Sequence, residues 1–279
     1  MADGYKLPDD EFNSLREYIY KKSGILFTGR NRFQLEMKIR ERLDKTGCGN
    51  IPCYIKYLGS PGSVELNTLF NTITVNETSF FRDRSFIATI EKNVIPEIIK
   101  TNRALGFGQV RIWSAAASSG EEAYTIAIML AEQLKGELSK WSVRIFATDI
   151  NDDVLKACRT GIYSSYSMRN AAPDIRQRYF RQLDSDRYEI RDDIKAMVIP
   201  GKCNLMDTEG SKKFNKLDLL LIRNVLIYFD AESKKKVLKT CYENLKPGGH
   251  MFLGHSETLF GFDNDFKLVH FVNAVGYRK

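Results

Sequence analysis

Apolar positions recur along this chain with two different periods, and the change from one to the other divides it. From Pro8 to Thr74 the spacing is helical with no convincing strand. Phe12, Leu15 and Ile19 form one stripe, Ser23-Gly24 and Thr28-Gly29 interrupt it, and Leu35, Ile39 and Leu43 form a second stripe that ends at Gly47. A small helical bundle follows from this pattern. From Val110 the pattern changes. Val110, Ile112 and Trp113 read as a buried strand, Ser114 to Gly120 holds only small side chains, and Glu121 opens a helical pattern carried by Ile126, Met129 and Leu130. Val143 to Thr148 reads as a second strand ending at Asp149. Two strands separated by a helix make a βαβ unit, which implies a parallel sheet with its ligand at the carboxyl ends of the strands.

The same rhythm continues toward the C-terminus. Leu217 to Ile222 is the clearest central strand, with Arg223-Asn224 at its carboxyl end, and a helix follows that stops at Leu245-Lys246-Pro247-Gly248-Gly249. His250–Gly254 and Phe266–Tyr277 complete the sheet, with an antiparallel pair at the end. Gly161 to Pro200 breaks the alternation: the polar stretch Ser164–Asn170 and the short runs Arg187–Ile190 and Ala196–Ile199 predict an inserted antiparallel piece before Lys202–Leu205 returns to the sheet. The expected division is 1–75 all-helical, 76–108 a linker and helix, and 109–279 an α/β domain with its insertion at about 161–200.

Composition narrows the class. With 279 residues, 43% apolar and 28% charged, the chain can bury a substantial core. No apolar run approaches the ~18–20 residues of a membrane span, and the N-terminus is polar and acidic, so a cytoplasmic protein is expected. Five scattered cysteines without C-x-x-C and three histidines without ligand spacing predict free thiols and no metal. The net charge of +7 is compatible with an anionic partner or with ordinary surface charge. Between Arg16 and Lys45 there are nine Lys/Arg against four Asp/Glu, and Lys38, Arg42 and Lys45 share one helical face. That face is either a solvated surface or a dock for an acidic helical partner.

Three places carry candidate chemistry. The small-residue turn Ser114–Gly120 lets a ligand approach the backbone and presents free N–H groups at a helix start, but its single glycine is a poor match to G-x-G-x-x-G. Asp149 stands where such folds place an acid to accept two hydrogen bonds from a ribose diol; a helix N-cap is the alternative. Asn76-Glu77-Thr78-Ser79-Phe80-Phe81-Arg82 reads, taken alone, as a helix cap followed by two core phenylalanines.

In order, N-E-T-S-F-F-R, W-S-A-A-A-S-S-G-E-E, A-T-D-I, C-N-L, R-N-V-L-I-Y-F-D and L-K-P-G-G resemble the CheR family, the chemotaxis-receptor glutamate methyltransferases that use S-adenosylmethionine. The resemblance covers nearly the whole chain, and it displaces the capping reading of Asn76–Arg82. It implies a class I methyltransferase (Rossmann-like) sheet with an N-terminal helical domain and a small inserted antiparallel β-subdomain. It further implies cofactor contacts from Asn76, Thr78, Arg82, Glu121, Asp149, Asn204, Leu205, Arg223 and Asn224. Arg82 and Tyr228 match the positions near the transferred methyl group. The helix bearing Lys38, Arg40 and Arg42 resembles the family's basic receptor-docking helix, with the helical bundle of a chemoreceptor as partner.

The chemistry agrees with that resemblance. A glutamate with a pKa of ~4.3 is already a nucleophile at neutral pH, so no Ser/His or Cys/His arrangement is expected. One departure concerns substrate tethering: family members that bind a receptor pentapeptide carry a longer, glycine-containing loop in the β-subdomain, whereas Leu183–Arg187 is short and lacks glycine. Pentapeptide-independent binding and a monomer are expected. A nucleic-acid methyltransferase is the rival enzyme, but base-amine methylation commonly uses Asn/Asp-Pro-Pro-aromatic where this chain reads Asn224-Val225-Leu226-Ile227-Tyr228. A non-catalytic S-adenosylmethionine sensor is the rival from another class.

Overall fold

The computed structural model describes residues 6–106, 108–262 and 265–279. Met1–Tyr5 of the expected helical domain and Phe107 of the expected connector lie outside the described residues.

The N-terminal segment folds as four helices, α1 (Asp9–Ser23), α2 (Arg32–Thr46), α3 (Ile51–Leu58) and α4 (Glu65–Ile73). In α1 the acids Asp9, Asp10 and Glu11 occupy the first turn and Lys21 and Lys22 the last, each complementing the helix dipole. Phe12, Leu15, Ile19, Leu35, Ile39 and Leu43, the two predicted stripes, meet in one core with residues of α3 and α4. Arg42 joins that core instead of the surface: it makes a two-pronged ion pair with Glu65 at 2.8 and 2.7 Å, and the Tyr54 hydroxyl donates to the same carboxylate.

Helix α5 (Arg84–Thr89) passes through a π-helical turn into α6 (Ile95–Ala104). The main sheet then alternates strands and helices: β1 (Gln109–Ala115), α7 (Glu121–Gln133), β2 (Ser142–Asp149) and α8 (Asp152–Thr160). The insertion contributes β3 (Ile162–Ser164), α9 (Pro173–Tyr179), β4 (Phe180–Gln182), β5 (Arg187–Ile190) and α10 (Asp192–Lys195). After it come β6 (Val198–Lys202), α11 (Thr208–Ser211), β7 (Leu217–Ile222), α12 (Ala231–Asn244), β8 (Leu245–Leu253), β9 (Lys267–His270) and β10 (Val275–Arg278).

Seven strands form the main sheet in the order β6-β2-β1-β7-β8-β10-β9, parallel except where β10 pairs antiparallel with β8 and β9. The chain reverses direction across the sheet between β1 and β7, so the crevice at their carboxyl ends is the place where such sheets bind ligands. All six residues of β7 are buried, as a strand covered on both faces requires.

Three differences from the sequence reading have clear causes. Ala196–Ile199 does not join the inserted piece, because β6 pairs in parallel with β2, Val198 opposite Ile145. The inserted sheet is instead β3-β5-β4, and Phe80 anchors it by edge-to-face contacts with Tyr163 and Phe180 at 4.8 and 5.0 Å. The helix after Asn76–Arg82, which the sequence places within 76–108 and whose spacing predicts an end near Lys100, is capped by Asp83, whose carboxylate accepts from Phe86 N, and runs on to Ala104.

Candidate functional site

The carboxyl ends of β1, β2 and β7 open into one cleft, walled on its far side by the helical domain. The turn after β1 holds Ala116, Ser118 and Gly120 at positive φ, a conformation that favours glycine and small side chains. At Gly120 a side chain would strike the Cys158 sulfur, so the turn packs directly on α8. Two bonds fix it from outside: Ser118 N donates to Asp149 Oδ2 at 2.9 Å, and Ser118 Oγ donates to the Asn76 carbonyl at 3.0 Å. The Asn76–Arg82 segment is thereby tied to the turn.

Asp149 ends β2, buried at 7% exposure, with Oδ1 accepting from Asn151 N at 2.9 Å. Burial pushes its carboxyl above the ordinary aspartate value, against the backbone N–H groups of Asn151, Ser118 and Ile150. The capping alternative belongs to Asn151, whose side chain accepts from Asp153 N and Val154 N. Asp149 lines the cleft, and with one N–H accepted by each oxygen its carboxylate keeps acceptor capacity to spare.

Asn76, Thr78, Arg82, Asp149, Asn204, Leu205, Arg223, Asn224 and Tyr228 all line this cleft. Glu121 does not. Successive helix positions are turned about 100° apart, and Glu121 faces the Ser119 and Ser167 hydroxyls at 2.7 and 3.2 Å while Glu122 turns to Ser114, Arg223 and the cleft. The cleft-lining member of the pair is therefore Glu122. Burial raises the Glu121 carboxyl above its ordinary value, as a group enclosed under the inserted sheet would be.

Arg223 reaches the cleft with its charge already engaged. Its guanidinium lies 2.8 Å from Asp83, 3.2 Å from Glu122 and 3.8 Å from the centre of the Phe86 ring. Asn204 donates to the Lys22 carbonyl at 2.6 Å and accepts from Met206 N, fastening α1 to the loop after β6. Arg82 is held less firmly, donating to the Glu77 carbonyl at 2.7 Å. The Tyr228 hydroxyl is pushed above the ordinary tyrosine value by burial and by the charge of Glu257, against the pull of Arg82.

The helical domain also helps to wall the cleft. Leu26 N donates to the Tyr228 carbonyl at 2.8 Å, Tyr20 OH donates to Asp230 at 2.8 Å, and Asn31, Gln34 and Lys38 from the start and face of α2 line the cleft. Lys38 is half-buried, with burial lowering its pKa, so it belongs to the cleft wall; Arg42 is consumed by Glu65. Of the three expected docking residues, Arg40 is the exposed one. The sequence reading missed Glu122, the inward turn of Lys38 and Glu257, whose only available sign is the H-S-E run after β8.

Residues 76–275 match the family model described as CheR methyltransferase, SAM binding domain, and residues 10–74 match CheR methyltransferase, all-alpha domain. The chain is 33% identical to chemotaxis protein methyltransferase 2 of Vibrio cholerae over 98% of this chain and 94% of that one. It is 33% identical to the chemotaxis protein methyltransferase of Borreliella burgdorferi, covering 97% and 94%, and 31% identical to chemotaxis protein methyltransferase 1 of Pseudomonas aeruginosa, covering 96% and 97%. The cleft's donor set fits S-adenosylmethionine: Asp149 offers a carboxylate for a diol, Leu205 an apolar wall, and the Ala116–Gly120 turn unobstructed backbone. No helix among the described residues is long and apolar enough to cross a membrane. Matched in both of its domains, this chain belongs to the CheR family of S-adenosylmethionine-dependent methyltransferases.

Proposed function

We propose that the protein methylates glutamate side chains of chemoreceptors, forming methyl esters, with residues 1–75 as the docking domain and 109–279 as the catalytic domain. The observation that supports this reading is the convergence of Arg82 and Tyr228 on the same cleft as Asn76, Asp149, Asn204 and Asn224, in a wall with no histidine among its described residues. A carboxylate substrate needs no general base, because its pKa of ~4.3 leaves it ionised at neutral pH. S-adenosylmethionine supplies the sulfonium methyl when bound.

What remains for the chain is to position and desolvate the incoming carboxylate. Arg82 is suited to orient it, with its guanidinium shared with the Glu77 carbonyl so that it does not form a tight pair that would blunt the nucleophile. Tyr228 keeps its proton and donates a hydrogen bond at the reacting centre. The exposed Arg40 on α2 provides positive charge for an acidic receptor helix. Leu183 N bonds to the Arg187 carbonyl at 2.8 Å, closing a short turn between β4 and β5, and this supports receptor binding without a pentapeptide tether. The enzyme acts as a cytoplasmic monomer in this reading. Methyl transfer to receptor-containing membranes, read as base-labile label, tests it.

A further inference from the structure

Beyond the residues that line the cleft, one carboxylate outside it organises the loop on which two of them stand. Glu257 follows β8, and its side chain accepts four backbone N–H groups. Oε2 takes Asn224 N at 2.8 Å and Gly254 N at 2.7 Å, and Oε1 takes Val225 N at 3.0 Å and Ile227 N at 3.3 Å. Three of the four donors belong to the segment that runs from the end of β7 through the 3-10 turn Leu226–Tyr228. Asn224 sits at φ 59, a left-handed conformation that costs a non-glycine residue ~1 kcal/mol and persists only where its surroundings fix it. Gly254 is part of the same fixture, since a Cβ there would lie 2.6 Å from Glu257 Oε2 and 2.8 Å from Asn224 N.

We propose that Glu257 is a positioning residue for methyl transfer, holding the Asn224–Tyr228 segment in its working shape through these four bonds. The inference rests on the reading of Asn224 and Tyr228 given above. An acceptor-only group is required, because four N–H donors converge on two oxygens. A glutamine at this position would turn its own N–H₂ toward two of them, so the near-isosteric change fails for a chemical reason and not a steric one.

Glu257→Gln is the variant to make, compared with wild type and Tyr228→Phe in three measurements: turnover on receptor membranes, calorimetric affinity for S-adenosylhomocysteine, and amide exchange with thermal unfolding. Turnover of Glu257→Gln is expected to fall about 10- to 100-fold, the scale set by small misplacements of reacting groups. Product affinity is expected to fall less than turnover, through the displaced Asn224, and the faster exchange to be confined to residues 224–227 and 254. Turnover within about twofold of wild type overturns the proposal. So does a loss matched by equal loss of product affinity and by faster exchange across the whole catalytic domain, which is a general structural role. If Glu257→Gln does not fold, Glu257→Asp keeps the charge with a shorter reach and is held to the same outcomes. If Tyr228→Phe turns over normally while Glu257→Gln is slow, the role of Tyr228 falls and the positioning of the segment stands.

Discussion

Arg223 Nη2 donates to Asp83 Oδ2 at 2.8 Å across 140 positions of sequence. The pair joins the end of β7 to the residue that caps α5, and Asp83 directly follows Arg82 in the chain. Glu122, at the start of α7, completes a three-element clamp beneath the cleft. The Arg223 side chain is only 6% exposed. Removing it leaves two carboxylates facing each other without their cation, so Arg223→Ala is expected to destabilise the protein by about 3 kcal/mol. Urea unfolding checks this, and a loss below about 1 kcal/mol would place the pair among ordinary surface bridges.

Asp149 is expected to link pH to cofactor binding. Its folded pKa is raised by burial, so the native state holds this proton more tightly than the unfolded chain does. Any stability from this proton is therefore present below the ordinary value of 3.8 and lost as pH rises through the raised one. Binding runs the other way, because the charged form keeps both oxygens as acceptors for a diol while the protonated form turns one of them into a donor. Affinity for S-adenosylhomocysteine is expected to fall as pH drops toward the raised pKa, and to weaken about 10-fold with flattened pH dependence in Asp149→Asn. Calorimetry from just above the ordinary aspartate value up to neutral pH reads both effects.

Arg40 and Arg42 of α2 should behave differently. Arg42→Ala breaks a buried pair with Glu65 and is expected to lower stability by about 3 kcal/mol in denaturant unfolding. Arg40→Glu, at an exposed position, is expected to raise KM for receptor several-fold with product affinity unchanged. Equal KM for wild type and Arg40→Glu would remove α2 from the docking surface.

Arg82→Ala and Tyr228→Phe are each expected to lower turnover about 10- to 100-fold while retaining fold and product binding within a few-fold. Single-turnover kinetics on receptor membranes separates this from slow binding. Wild-type rates in both variants would dissociate these residues from the transfer step.

Much of this was legible in the sequence, for reasons that can be named. The period change at Val110 marked the sheet, and the small residues of Ser114–Gly120 marked the turn, because close backbone approach excludes large side chains. Partners distant in sequence hid the rest. Nothing near Arg42 announces Glu65 and Tyr54, so a helical face that reads as basic and exposed turned out to be partly core. Glu121 and Glu122 are chemically identical neighbours, and only the rotation of α7 decides which faces the cleft. Val198–Ile199 has the pattern of any short strand, and its partner β2 lies across the whole insertion. Glu257 bonds to backbone, which leaves no complementary side chain to read.

The most direct measurement is transfer of radiolabelled methyl from S-adenosylmethionine to chemoreceptor-containing membranes of the same organism, followed by release of methanol in base. The account predicts label on a receptor that is released by base, the signature of a carboxyl methyl ester. Cofactor binding without receptor labelling, or label that survives base, would contradict it.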